Sequence, residues 1–205
     1  INVAKIVVQD DIANAPREEA QNRRGMVGAV PLLKIAGAAA LASKSLEEVA
    51  TIAQGFADNM ATLAVAASGA TNPATGMEIA KVAAGCMEVG VGLHGEAGKA
   101  KPMATAEETV SAMLDALLED LNVLAEEKLM VIVSGSGATS LMEQLIDYRN
   151  CYAYLVEKEI EIVASHVGEL MTVQEMAGFE ICIARMNEEL VEYWNAPCRT
   201  PYFKK

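Results

Sequence analysis

The sequence has few of the residues that mark nucleic-acid-binding, secreted or zinc-binding chains. Of its 205 residues 4% are aromatic, and 16 basic residues stand against 28 acidic ones, for a formal net charge of −12. Because phosphate contacts need a basic surface, this balance argues against nucleic-acid binding. The four cysteines are widely spaced without a C-x-x-C pair, and nothing resembles a secretory signal. These absences predict free thiols, a cytoplasmic location and no metal site.

Long hydrophobic runs are also missing. The longest apolar stretch, residues 26–42, is interrupted by Pro31 and Lys34. It falls short of the ~20 residues that a membrane span needs, so it predicts a buried helix and no membrane partner. Hydrophobic residues still make up 52% of the chain, which is long enough for one or two domains with a substantial core.

Strand and helix patterns alternate along the chain. Strands are predicted at residues 3–8, 62–68, 87–93, 129–133, 160–167 and 179–185. Helices are predicted at residues 26–42, after Ser45, after Thr105, at residues 141–157 and after Asn187, with a single helical turn at residues 172–176 and a loop at residues 14–24. Ser45 and Thr105 each begin a capping box that ends in a glutamate three residues later. The alternation predicts an α/β fold, a mixed β-sheet covered by helices.

Residues 87–98 are the first candidate for a functional site. Large apolar residues of the predicted strand 87–93 share one face, while Gly90, Gly92 and His94 share the other. This alternation predicts a bare surface leading to an imidazole at the start of a glycine-rich loop. The same spacing also arises where a helix packs closely on the glycines and the histidine is a capped or solvent-facing residue. Spacing alone leaves both interpretations open.

Three further features admit a functional and a structural interpretation. Asp10 and Asp11 follow the predicted strand 3–8, where open sheets bind ligands, but a helix cap or turn is the commoner role. Residues 134–140 form a Gly/Ser turn before a helix, which could hold a phosphate, although the P-loop lysine is missing and a tight turn explains it equally well. His166 has no motif around it, which favours a structural histidine.

A resemblance to a known family adds to this picture. Residues 88–98, EVGVGLHGEAG, resemble the E-x-G-x-G-[IL]-H-G-E-P-G signature of the substrate-binding subunit of dihydroxyacetone kinase. In the same order, residues 10–12, 23–28, 134–143 and 194–201 resemble its D-D-[VI], R-R-G-[VL]-A-G, N-G-x-G-[AG]-T-x-x-[MS]-E and [LW]-x-A-P-x-x-T-P segments. The match covers essentially the whole chain. Ala97, Ser134 and Ser136 depart from the family pattern, and Ala97 replaces a proline that would stiffen the loop.

The resemblance implies a fold and a nucleophile. The fold would be the second part of a two-domain fold of the dihydroxyacetone-kinase and DegV type. Residues 1–25 would end the first domain, and residues 26–205 would form the substrate-binding domain. His94 would bond through Nε2 to the C2 carbonyl carbon of dihydroxyacetone as a hemiaminal. Because the chain starts at Ile1, we expect a preceding half with a G-G-G-S-G-H-E-P loop, a second histidine, a lysine and an aspartate that no residue here matches.

The resemblance also implies partners. No cofactor site is expected in this chain, and ADP or ATP with Mg²⁺ would be carried by a separate nucleotide-binding kinase subunit. We expect no nucleotide domain to be fused after residue 205, which would favour a phosphotransferase-system phosphoryl donor acting through that subunit. The resemblance further implies a homodimer. An alternative from another class is a non-catalytic coactivator of a transcription regulator that senses dihydroxyacetone, and a third is a fatty-acid-binding relative of the same fold.

Overall fold

A mixed β-sheet with helices on both faces forms the centre of the protein. The computed structural model describes residues 1–92 and 96–205. Within that part the sheet has six strands in the order β5-β4-β1-β8-β6-β7, with a separate two-stranded ribbon, β2-β3. The strands are β1 (Met60–Ala66), β2 (Ala70–Thr71), β3 (Glu78–Ile79), β4 (Cys86–Val89), β5 (Lys99–Pro102), β6 (Lys128–Gly135), β7 (Glu161–Gly168) and β8 (Gly178–Arg185). The helices are α1 (Ala29–Leu41), α2 (Leu46–Asp58), α3 (Ala106–Leu121), α4 (Leu141–Glu157) and α5 (Glu188–Asn195), with a 3-10 helix at Arg17–Asn22. The predicted α/β class with a mixed sheet is confirmed.

The strand register explains which strands are buried. β6 and β7 are parallel, and the other neighbouring pairs of the large sheet are antiparallel. Every residue of β1 is buried, as is every residue of β8 except Arg185 and every residue of β6 except Lys128. Strands covered on both faces read as continuous apolar runs, which explains why residues 129–133 were recognisable from sequence.

Local hydrogen bonds begin the helices where the sequence predicts them. The side chain of Ser45 accepts from Glu48 N at 3.3 Å while Glu48 accepts from Ser45 N at 2.8 Å, so the first capping box is complete. Thr105 and Glu108 form the second. Asn187 Oδ1 accepts from Leu190 N at 2.8 Å at the start of α5. All three caps are predictions that the structure confirms.

Two hydrophobic cores lie on opposite faces of the sheet. Helices α1, α2 and α5 cover one face, where Phe56 and Trp194 are fully buried. Helices α3 and α4 cover the other, where Leu114, Leu117 and Leu155 are fully buried. The two faces of the sheet therefore carry different groups of side chains. No helix in the described ranges is long and apolar enough to cross a membrane.

Two predictions near the chain start are wrong. Residues 3–8 are not a strand, because the start of β1 is bridged instead by Asp10–Ile12, with Thr62 N donating to Asp10 O at 2.7 Å and Ile12 N to Thr62 O at 3.1 Å. Ile6 and Val8 pack on the α1–α2 core without a strand partner in the described chain. The predicted loop 14–24 contains the 3-10 helix Arg17–Asn22.

An ion-pair cluster fixes this segment to α3. The side chain of Arg23 is completely buried, and its guanidinium pairs with Asp120, which also pairs with Arg17. Burial raises the pKa of Asp120, but the hydrogen bonds and charges of Arg23 and Arg17 outweigh it and hold that pKa below its ordinary value. The pair therefore joins the segment before α1 to the opposite face of the sheet.

Two shorter elements also differ from the predictions. Residues 172–176 form a turn with no helix, and Met176 bridges to Gly137. The predicted strand 87–93 ends at Val89, because Gly90 takes φ of +86° and leaves the extended conformation.

Candidate functional site

The first element of the site is the buried carboxylate of Asp10. It accepts hydrogen bonds from Met26 N at 2.7 Å and Gly28 N at 2.9 Å, and from the hydroxyl of Thr62. Burial raises its pKa, although these three donors lower it. Two of the donors are amides of the turn that precedes α1, so Asp10 holds the entry to this helix, which favours the structural interpretation of Asp10.

Asp11 occupies a different environment from its neighbour. It is 1% exposed, and its Oδ1 accepts from Ala13 N at 3.0 Å. Its Oδ2 has no hydrogen-bond partner within the described residues. Burial, with smaller contributions from the negative charges of Asp10 and Glu96, raises the pKa of Asp11 to about 6. Near neutral pH the carboxyl of Asp11 can therefore gain or lose a proton, and its Oδ2 accepts no hydrogen bond from the described residues.

A third acid, Glu180, was not predicted from the sequence. It lies on β8, is 1% exposed, and its Oε2 accepts from Val27 N at 3.2 Å. Burial and the charge of Asp10 raise its pKa well above the ordinary value. Together with Asp10 it holds consecutive amides at the positive end of α1. The signal in the sequence was a charged residue inside a strand whose other residues are mostly apolar.

The β4–β5 hairpin packs against this acidic cluster through the described residues Gly90, Gly92 and Glu96. A Cβ at Gly90 would lie 2.6 Å from the Cβ of Ala13, and a Cβ at Gly92 would lie 2.3 Å from the carboxylate of Glu96. The prediction of a bare surface is therefore wrong, since Ala13 and Glu96 cover the two glycines. The absence of side chains instead permits close packing and, at Gly90, the positive φ.

Glu96 connects the hairpin to the segment before α1. Its Oε1 accepts from Arg24 Nε at 3.2 Å, and its charge also acts on Asp11. His94 lies outside the described residues, so its role as the nucleophile remains a prediction. Glu96, which lies two residues after His94 in the sequence, joins the hairpin to Arg24 by an ion pair, and its charge acts on Asp11.

The second histidine is away from this cluster. His166 lies on β7, which three strands separate from β4 in the sheet, and its ring centroid is 5.2 Å from that of Phe203. Burial and the positive charge of Lys205 lower its pKa. These contacts favour the structural interpretation of His166.

The Gly/Ser turn after β6 is satisfied by the protein itself. Ser136 N donates to Gly178 O and Ala138 N to Met176 O, both at 3.0 Å. Gly137 has φ of +129°, and a Cβ there would lie 1.9 Å from Gln174 O. Because these amides are already bonded, the structure favours a tight turn over an anion cradle.

Comparison with known proteins agrees with this architecture. Residues 1–202 match the Dak1 domain. The chain belongs to the Dak1 family. It is 36% identical to the PTS-dependent dihydroxyacetone kinase 2, dihydroxyacetone-binding subunit DhaK, of Listeria innocua, over 100% of this chain and 61% of that protein. It is 35% identical to an L-erythrulose kinase of Pectobacterium atrosepticum, over 98% of this chain and 35% of that protein. The chain thus spans about three fifths or less of these relatives.

Solved structures show the same fold in Dak1 proteins and in a wider group. The dihydroxyacetone kinase operon co-activator Dha-DhaQ superposes with a TM-score of 0.86 at 26% identity, over 94% of this chain and 60% of that one. The dihydroxyacetone kinase of C. freundii gives a TM-score of 0.79 at 26% identity, over 94% and 34%. A DegV family protein from Thermus thermophilus gives 0.55 at 12% identity, over 80% and 59%, which shows the fold alone. The predicted resemblance in fold to both groups is confirmed.

Proposed function

We propose that the chain is the ketone-binding part of a dihydroxyacetone kinase subunit and holds dihydroxyacetone covalently on His94. The observation that carries the proposal is the hairpin with the histidine signature, packed on the cluster of Asp10, Asp11 and Glu180 at the start of α1. The similarity to a relative named as a dihydroxyacetone-binding subunit supports it.

The covalent step needs only an unprotonated imidazole. The lone pair of His94 Nε2 adds to the electrophilic C2 of the ketone, the C=O π bond breaks, and the carbonyl oxygen takes up a proton while the imidazolium that forms gives up its Nδ1 proton. The imidazole nitrogen that loses its lone pair develops positive charge, which nearby carboxylates stabilise. At the hairpin, the negative charge of Glu96 raises the pKa of Asp11, so these two acids are our candidates for stabilising the positive charge. Glycerol has no carbonyl and cannot form the adduct.

The phosphoryl-transfer step requires a partner. A tethered ketone presents its terminal hydroxyl in a fixed position, which helps because phosphoryl transfer depends mainly on positioning and charge stabilisation. We place ADP or ATP and Mg²⁺ on a separate nucleotide-binding subunit, rephosphorylated by a phosphotransferase-system protein. Relatives named PTS-dependent support this donor. A homodimer, a cytoplasmic location and the division at residue 25 are part of the same proposal.

The ketone itself has two candidate sizes. Relatives at 34–35% identity are named L-erythrulose kinase and D-erythrulose kinase, so a four-carbon ketose is a natural competitor. Both ketoses carry the carbonyl that His94 would attack, and they differ by one hydroxymethylene group. Direct competition between the two in a binding assay assigns the substrate.

The second candidate function is a ketone-sensing coactivator of transcription. It is favoured by the structural likeness to a protein titled as an operon co-activator. A coactivator would bind the ketone on His94 but would not phosphorylate it.

The deciding experiment uses the full-length protein with its nucleotide-binding subunit and phosphoryl donor. Formation of ketone phosphate is measured for the natural protein, His94→Ala and His166→Ala. We expect turnover by the natural protein and by the His166 variant, and none by the His94 variant. Ketone binding without turnover would favour the coactivator, and full turnover by His94→Ala would refute the covalent mechanism.

A further inference from the structure

A cavity lies on the face of the sheet opposite α1. It has a volume of about 290 Å³ and sits between α3, α4 and the ends of β1 and β8. Its wall is mostly apolar, including Val65, Met87, Met103, Ile146 and Phe179. Val65 and Phe179 belong to the core under α3 and α4, while Asp10 and Glu180 bond to the start of α1 on the other face. The cavity is therefore separate from the acidic cluster of the proposed ketone site.

One carboxyl in this cavity is unexplained by the fold. Asp147 of α4 is 4% exposed and makes no hydrogen bond or ion pair with any residue that the structure describes. The hydroxyls in the same wall are already engaged, since Thr139 donates to Gly178 O at 2.6 Å and Thr109 contacts Met87 Sδ at 3.8 Å. The carboxylate oxygens of Asp147 are not among the fully buried atoms without a partner, so they face the open cavity, where a ligand can supply the hydrogen bonds that the described residues do not.

The charge around Asp147 is negative. Glu143 lies one helical turn earlier in the same cavity wall, and its carboxylate is held by Ser140 N at 2.8 Å. The remaining described wall residues, from α3, β1, β4 and β8, carry no titratable group apart from these two. Burial first and the charge of Glu143 second raise the pKa of Asp147 to about 6, so the carboxyl is ionised at neutral pH. A ligand that satisfies it must bring donors and positive charge.

We propose that this cavity binds a small organic ammonium compound, with its cation on Asp147 and its apolar body against Met87 and Phe179. An ammonium supplies the hydrogen-bond donors that the wall lacks, and its charge offsets both carboxylates. An apolar body suits the rest of the wall, as in most small-molecule sites, where a few polar groups orient a ligand in an apolar cleft. A divalent metal is a poor alternative, because two carboxylates and apolar walls do not provide the six or more oxygen ligands it prefers.

The test uses three probes with one six-carbon body: hexylammonium, hexanol and hexanoate. Their affinities for the full-length protein are measured by calorimetry at pH 7.5, with Asp147→Asn and, as a matched control on α4, the exposed Glu157→Gln. We expect hexylammonium to bind best to the natural protein and the control. Asp147→Asn should weaken it about ten- to a hundredfold, the range for a charge-assisted hydrogen bond, and leave hexanol nearly unchanged.

A pH series on the natural protein gives an independent reading that needs no variant. Because the pKa of Asp147 is about 6, hexylammonium binding should be strongest above pH 7 and fall as the pH drops through 6. Equal affinities for the three probes, absence of hexylammonium binding, or binding that Asp147→Asn does not change would each overturn the proposal. Because the assay contains no ketone, neither result bears on whether His94 binds the ketone.

Discussion

Replacing Asp147 by asparagine should stabilise the protein at neutral pH. The side chain is 4% exposed and has no hydrogen-bonding partner among the described residues, so its ionisation in the folded state is unfavourable. Moving a carboxyl pKa from 3.8 to about 6 corresponds to about 3 kcal/mol of lost stability above pH 6. Asparagine is still polar and buried, so we expect a gain of about 1–2 kcal/mol.

The sign of the pH dependence makes this prediction specific. Between about pH 4 and 6 the folded protein binds more protons than the unfolded chain at Asp147, so its stability falls as the pH rises through that window and is constant above it. Urea denaturation of the natural protein, Asp147→Asn and Glu157→Gln at pH 4.0 and 7.5 measures the effect. The gain from Asp147→Asn should be present at pH 7.5 and nearly absent at pH 4.0. A loss of stability at both values would refute the claim that this carboxyl lacks a partner.

Three further predictions concern the other face of the sheet and the segment before α1. Asp10→Ala should destabilise the protein by about 3 kcal/mol in urea denaturation, because it leaves the amides of Met26 and Gly28, just before α1, buried and unbonded; a change below 1 kcal/mol would contradict its structural role. Asp120→Asn should cost about 3–5 kcal/mol at pH 7, because Arg23 stays buried without a countercharge, and the difference from the natural protein should shrink as the pH falls below 4. If Glu96 acts on the His94 imidazole, Glu96→Gln should shift the pH midpoint of ketone binding to lower pH, and an unmoved midpoint would favour a structural role for Glu96.

Local chemistry accounts for what the sequence predicted well. The capping boxes at Ser45 and Thr105 are complete within four residues, so no knowledge of distant contacts is needed. The buried strands read as apolar runs because both of their faces are covered by helices. Residues 3–8 had an equally β-rich sequence, but a strand also needs a partner, and residues 10–12 bridge to β1 instead. Pairing is a property of the whole fold and does not follow from a local pattern.

The unpredicted acids show a second limit. The buried side of α4 carries Gln144, Asp147, Cys151 and Leu155, while Leu141, Leu145, Tyr152 and Val156 are exposed. An apolar stripe at helical spacing would therefore identify the wrong face of this helix, and Asp147 would read as a solvated residue. Glu180 presents the same difficulty on β8. The proposed ketone site was predicted from the histidine signature, whereas the burial of Asp11 and Glu180 became visible only in the structure.

The most direct test of the account is the chemical state of the ketone carbon on the protein. Dihydroxyacetone labelled with ¹³C at C2 is added to the full-length protein and to its His94→Ala variant, and the carbon spectrum is recorded. We predict that the signal moves from the carbonyl range to that of a tetrahedral carbon bearing nitrogen in the natural protein, and that this signal is absent from the variant. A bound ketone that keeps its carbonyl signal, or a tetrahedral adduct that persists without His94, would contradict the proposed nucleophile.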